Sequence, residues 1–412
     1  MASLVYAFSF EATQYARWLS NPAPALITIT LSFWLFWKLL NGKLSLLPLL
    51  IFFWGLSTQF EFFMIYQIFV FLIIWLIIKG PKIPKIPFKI TALTIIAFII
   101  SFLPFMASEL KFKFQGTKAL LSFFGAQSHF GGSFTEMLLK YLDRFNAIFF
   151  LNIWGINLFL AGLTGIVTIY LSLKLTKKTK TKKQLIFLVS WVISPILLHF
   201  FGGTSGTFIN LGAGIGAIIL TSWLIDKLFN KKNWKLFYLL AILLIIVGNA
   251  NNILSQNKRG EVLFSVQDKV VLGDEVKAID WIYQQSDNQP FRLNTITNPL
   301  FINTTWAYLF DWHGKKEYGY MPIWWGETQV NVFGDQIEFA KKEKTNFHFL
   351  IIEPGPGIPE EYIKAIRQLE NSRSKVVETK QIGNFLVEKR QITRSRIFTS
   401  RDVFYQINPA TN

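Results

Sequence analysis

A chain of 412 residues with 51% hydrophobic side chains, 42 phenylalanines and only 16% charged residues is far from an ordinary soluble protein, which is about a quarter charged. The formal charge of +17 would suit nucleic acid if it clustered on a polar domain, but the lysines border apolar stretches, which argues against a nucleic-acid partner. The absence of cysteine excludes disulfides and thiolate chemistry and leaves the compartment open.

Residues 1–10 (MASLVYAFSF) are apolar but too short to cross a bilayer, and they lead into the more polar Glu11 to Pro24. Eight apolar stretches follow, at 25–41, 44–60, 62–79, 89–106, 149–173, 184–201, 207–229 and 234–250. Each approaches the roughly 20 helical residues that span a hydrocarbon core, with some shortfall tolerated by bilayer thinning and snorkelling. The stretches 44–60 and 62–79 are predicted to form a hairpin with its tip at Gln59, Phe60 and Glu61.

Every second gap is lysine-rich: Lys38 to Lys43, Lys79 to Lys89, Lys174 to Lys183 and Lys227 to Lys235 hold sixteen lysines, with Asp226 the one acid at their borders. Short basic loops stay on the cytoplasmic side, so the alternation predicts an α-helical polytopic membrane protein of about eight transmembrane helices in the cell membrane. It also places the hairpin tip, a long loop at 107–148 and everything beyond residue 250 outside. Glu11 to Pro24 falls outside too, with no charged n-region or cleavage site before it. Residues 1–24 are therefore expected to be the stub of a preceding helix with its external segment, in an N-terminally truncated protein whose helical domain covers 25–250.

From residue 251 to 412 the composition becomes that of a soluble domain, expected to be an extracytoplasmic α/β unit. Gly273 to Ser286 carries Val276, Ile279, Ile282 and Tyr283 at helical spacing. Phe347 to Ile352 (FHFLII) reads as a buried strand stopped by Pro354, Gly355, Pro356 and Gly357. Ile358 to Arg373 reads as a helix whose first turn holds Glu360 and Glu361. Val376 to Thr379 and Phe385 to Glu388 flank Ile382, Gly383 and Asn384 as a hairpin.

Three stretches carry a family resemblance: Arg17 to Pro22 (RWLSNP), Gly55 to Glu61 (GLSTQFE), and the aromatic segment Trp306 to Tyr320 (WAYLFDWHGKKEYGY). Together with the architecture, these resemble bacterial GT-C membrane glycosyltransferases of the dolichyl-phosphate-mannose and aminoarabinose transferase type. The resemblance implies transfer of a sugar from a polyprenyl-phosphate donor, at the outer face, to a glycan, lipid or protein acceptor. It also implies a catalytic carboxylate in the first external loop, expected upstream of Met1, so that no catalytic residue is assigned in this chain.

Such chemistry needs cations at headgroup level to hold the departing phosphate. Arg17, Lys111, Lys113, Lys118, Lys140 and Arg144 fall in predicted external segments and are the donor-phosphate candidates. Asn21, Gln59, Glu61, Glu109 and His129 are the polar-site candidates. Each has a plainer alternative: Arg17 beside Trp18 as an interfacial anchor, and Glu61 as a solvated hairpin tip unless it faces Arg17 or Lys111. Glu109 to Lys113 (ELKFK) could be an interfacial strand or helix start, and His129 an uninvolved residue of the flexible FGAQSHFGG stretch.

Gly202, Gly203, Gly206, Gly212, Gly214 and Gly216 suit close helix packing better than a phosphate cradle. The four histidines are too scattered for a zinc site, so no metal and no cofactor is expected, and nothing supports a divalent cation. Two alternatives stay open: a non-catalytic assembly or polymer-export component, and a transporter, which would need ionisable groups near midplane.

Overall fold

The structure, a computed structural model, describes residues 1–18, 20–82, 84–111, 113–114, 117, 134–176, 179–200, 210–229, 234–256, 270–287, 289–330, 337–340, 345–355, 358, 360–394 and 397–407. The chain divides into two compact units, Met1–Lys258 and Arg259–Asn412.

The first unit is built of helices and connecting loops, with no strand among its described residues. Two short helices, α1 (Ala2–Ala7) and α2 (Phe10–Arg17), precede α3 (Pro22–Leu40), whose prolines at the first turn suit a helix start. Then come α4 (Leu47–Phe60), a 3-10 turn (Phe62–Tyr66) leading into α5 (Gln67–Lys79), and α6 (Phe88–Lys111). Beyond the next segment lie α7 (Phe134–Asn152), α8 (Leu158–Lys174), α9 (Thr179–Ile193), α10 (Ile196–Phe200), α11 (Ala213–Phe229) and α12 (Lys235–Gln256). Among the described residues, four helices are long and apolar enough to cross a membrane: Pro22–Leu40, Phe62–Lys79, Phe88–Lys111 and Lys235–Gln256. Leu44–Phe60 and Leu158–Lys174 are apolar but shorter.

Small side chains let these helices approach. A Cβ at Gly55 of α4 would overlap Ser101 of α6, and Ser57 donates to Thr28 of α3 at 2.9 Å. Phe33 stacks on Trp191 at 4.3 Å and meets Phe71 edge-on at 5.1 Å, which ties α3 to α9 and α5.

The expected helical boundaries need four corrections. The stretch 149–173 is two helices, because α7 stops at Asn152 and Asn157 caps α8 by accepting from the Leu160 amide at 3.0 Å. The cause is Gly155, where a Cβ would press on the backbone of Gly248, so the chain turns where it meets α12. The stretch 184–201 breaks at Ser194 and Pro195, since proline supplies no amide donor to a continuing helix. The segment 107–148 is not all loop: α6 runs to Lys111 and α7 begins at Phe134. Finally α12 continues to Gln256, so the unit boundary falls after Lys258 rather than at residue 250.

The second unit is a five-stranded mixed sheet with helices. Its strands are β1 (Arg292–Ile296), β2 (Ile323–Trp324), β3 (Phe347–Ile352), β4 (Ser374–Ile382) and β5 (Phe385–Ile392), in the order β2-β1-β3-β5-β4. β1 is parallel to β2 and β3, while β5 is antiparallel to β3 and β4. β3 matches the predicted FHFLII strand residue for residue. The predicted hairpin is longer than expected, and Gly383 at its turn takes φ +57°, a conformation that favours glycine. Helices α13 (Leu272–Gln285), α14 (Thr304–Leu309), α15 (Lys315–Tyr318), α16 (Glu360–Arg373) and α17 (Ser400–Ile407) complete the unit. Its core joins Ile279, Ile282 and Tyr283 of α13 to Leu293, Trp306, Phe349 and Phe385. The aromatic 306–320 segment is helical, with a π-turn at Phe310–Gly314 between α14 and α15.

Candidate functional site

The most unusual chemistry of the first unit surrounds Glu11. Ser9 caps α2 by accepting from the Ala12 amide at 3.1 Å, which puts Glu11 in the first helical turn, where the helix dipole favours a carboxylate. Glu11 is nevertheless buried, 6% exposed, and that burial raises its acidity constant from 4.5 to about 7, with the Asn152 hydrogen bond opposing the rise.

Two asparagines from distant helices build the rest. Asn152, the last residue of α7, donates from Nδ2 to Glu11 Oε2 at 2.6 Å, and its Oδ1 accepts from Ser9 Oγ at 2.7 Å. Asn249 of α12 accepts the Phe10 amide at 3.1 Å and donates to the Asn152 carbonyl at 3.2 Å. Both asparagines therefore address α2 directly. Gly214, in the first turn of α11, leaves the space: a Cβ there would overlap both Glu11 Oε2 and Asn152 Nδ2. A second carboxylate lies within electrostatic range, because Tyr15 is buried on α2 and both Glu11 and Glu61 push its hydroxyl above its ordinary acidity constant, after burial itself. Glu61, half-buried between α4 and the 3-10 turn, is raised by burial, and a backbone hydrogen bond at Phe63 opposes the rise.

This arrangement can hold a carboxyl group that exchanges its proton near neutrality. A carboxyl fixed at 2.6 Å to an amide keeps its orientation in either protonation state. Sequence reasoning missed it because Glu11 stood in a segment read as an external stub. Asn249 carried a faint signal, as part of Asn249, Asn251 and Asn252 closing an otherwise apolar helix.

The predicted residues are distributed differently. Arg17 closes α2, exposed, with Trp18 stacked on Tyr15 at 6.1 Å, and Asn21 is exposed before α3. Gln59 is half-buried in the last turn of α4. Glu109 is buried in the last turn of α6 and accepts from the Thr117 amide at 2.8 Å and its hydroxyl at 2.7 Å. The ELKFK stretch thus ends a helix instead of starting one, because α6 keeps its pattern through Pro104 to Lys111. Lys111 and Lys113 are exposed there. Lys140 and Arg144 lie on α7, not in a loop; Arg144 is half-buried, burial lowers its acidity constant, and its carbonyl accepts from Asn210 at 2.8 Å. The candidate cations thus come from three separate elements, and only Arg17 shares a helix with Glu11. Lys118 and His129 lie outside the described residues.

Of the glycines, Gly212, Gly214 and Gly216 serve close approach: at Gly216 a Cβ would meet Val192 and Trp191 at 3.2 and 3.3 Å. Gly202, Gly203 and Gly206 lie outside the described residues. Among the described residues no three His, Asp or Glu side chains gather as a metal site would require.

Several buried charges of the second unit form a packing network instead, while Glu275, raised to about 7 by burial and then by Glu353, lies outside it. Glu370 binds Arg373, His348 at 3.0 Å and Asn294 at 2.7 Å, while Arg390 reaches Glu388 and Ser374. These groups are nearly inaccessible and hydrogen-bonded to one another, with His348 Nδ1 left without a partner among the described residues, which is the work of a core. No protein-family model, characterised protein or solved structure matches the chain.

Proposed function

We propose that the chain is a membrane glycosyltransferase, spanning the cell membrane with about eight helical segments and carrying its second unit on the extracytoplasmic side. It takes a sugar from a polyprenyl-phosphate donor at the face opposite the lysine connectors, and Glu11 is the group that handles the acceptor's proton. The acceptor hydroxyl oxygen bonds to the anomeric carbon, the bond from that carbon to the phosphate oxygen breaks, the lipid phosphate departs with the bonding pair, and the hydroxyl proton passes to Glu11.

The observation that carries this reading is a buried carboxylate oriented by Asn152 at 2.6 Å, Glu11, whose acidity constant burial raises to about 7, close to where a general base works best. Its place in the chain agrees: α3 carries Lys38 in its last turn on the lysine side, so α2 and Glu11 belong to the opposite end. Arg17, six positions later on the same helix, supports donor binding at headgroup depth. The stretches RWLSNP, GLSTQFE and WAYLFDWHGKKEYGY add the family resemblance for the donor chemistry, whereas the assignment of Glu11 rests on its geometry and departs from the upstream carboxylate that the resemblance implies. A transporter reading is weaker, because the buried carboxylates Glu11 and Glu109 sit before α3 and in the last turn of α6, away from midspan.

The test is transfer itself. Membranes containing the full chain are given polyprenyl-phosphate hexoses and pentoses one at a time, and release of polyprenyl phosphate is followed. Release that depends on the chain with at least one donor is expected; no release with any donor, at a chain density that retains donor, contradicts the proposal.

A further inference from the structure

Between α3, α4 and α5, at the lysine end of the first unit, is a cavity of about 360 Å³. Its wall is apolar throughout and includes Leu39, Leu47, Leu50, Leu72, Trp75 and Pro84. The volume is in the range of sites that enclose a small ligand, but no polar group is there to orient one.

The nearest charges in sequence flank its lining residues. Pro84 brings the connector between α5 and α6 against the cavity, flanked in sequence by Lys82 and Lys85, and Leu44 brings the α3–α4 connector there beside Lys43. All three lysines are exposed. The connector is tied down, since Trp75 Nε1 donates to the Lys82 carbonyl at 3.3 Å, and Trp75 is itself a wall residue. Lys38 is engaged otherwise, over the Trp34 ring at 5.4 Å. Neither connector contains an acid. An apolar slot beside two connectors that carry three exposed lysines and no acid matches one class of molecule in chemistry: a lipid with an anionic head.

We propose that this cavity binds an anionic phospholipid of the leaflet on the lysine side, with an acyl chain in the slot and its phosphate among Lys43, Lys82 and Lys85. The site is separate from Glu11 and does not depend on the transferase reading; it rests on the cavity and on the charge of the connectors. Positive charge at a bilayer surface alone attracts anionic lipid diffusely. A slot that holds one acyl chain converts that attraction into retention of a single lipid.

The full chain is reconstituted with equal amounts of phosphatidylglycerol and phosphatidylcholine, extracted into detergent, and its retained lipids are measured by native mass spectrometry. Retention of phosphatidylglycerol over phosphatidylcholine is expected, and Lys43→Gln, Lys82→Gln and Lys85→Gln should each lower that preference about fivefold. Leu72→Trp fills the slot from a position that is 56% exposed, so folding is spared, and should remove the retained lipid while the melting temperature holds. Equal retention of the two lipids by the native chain overturns the proposal. So does a preference that survives the three lysine changes, or one that survives Leu72→Trp.

Discussion

The Glu11 carboxylate accepts a 2.6 Å hydrogen bond from the Asn152 amide, across 141 positions of sequence. That one contact joins α2 to the end of α7, and Asn249 of α12 closes the arrangement from the other side. Asn152 holds the acid itself, and Asn249 holds Asn152 and the Phe10 amide beside it.

Removing the amide leaves Glu11 and Ser9 without their shared partner. Asn152→Ala should destabilise the first unit by about 1–3 kcal/mol, the usual cost of orphaning buried polar groups. Thermal unfolding in detergent measures it. Asn152→Asp should cost more, because it sets a second carboxyl against the first.

Stability should fall with rising pH near Glu11. Its folded acidity constant of about 7 lies above the unfolded value of 4.5, so between these the folded state holds more proton than the unfolded one. The folded state therefore loses stability across that window, by about 3 kcal/mol at its upper end. Unfolding followed from pH 4 to 8 should show this slope for the native chain and a flatter line for Glu11→Gln.

Gly214→Ala tests the space around the acid. The added Cβ overlaps Glu11 Oε2 and Asn152 Nδ2, so α11 must shift or the hydrogen bond must break, at about 1–3 kcal/mol. Gly273→Ala is the control, since nothing lies within 4 Å of its Cβ position. Equal melting temperatures for the two variants would contradict the packing described.

In the second unit, Glu370 is held well below the ordinary carboxylate range by His348 and Arg373, against its own burial. A depressed folded value gives stability that is present above the unfolded 4.5 and is lost as pH falls toward the folded value. Glu370→Gln strands the buried Arg373 and should cost about 3–5 kcal/mol, read as protease resistance of the second unit in urea.

These relationships also show what sequence could reveal. Apolar runs located the longer apolar helices of the first unit, though not α1, α2 or most of α7, and FHFLII located β3, because both signals are local and periodic. The break at Pro195 has a local cause in the proline itself, but the break at Gly155 depends on what the helix meets, as does the burial of Glu11, whose hydrogen-bond partner lies at 152. The short strands β1 and β2 had no alternation to announce them and are defined by pairing with β3 and with each other. Arg17 was identified by its charge and position, but its exposure leaves the donor role to be tested: Arg17→Ala and Lys111→Ala should weaken donor retention, and unchanged retention removes both as phosphate contacts.

The most direct test of the central claim is the pH dependence of sugar transfer from a polyprenyl-phosphate donor by the full chain. The account predicts a rate that rises through an apparent acidity constant near 7, and a Glu11→Gln variant that retains donor but transfers about 100- to 10,000-fold more slowly without that limb. A Glu11→Gln variant with the native rate and the native pH profile would contradict it.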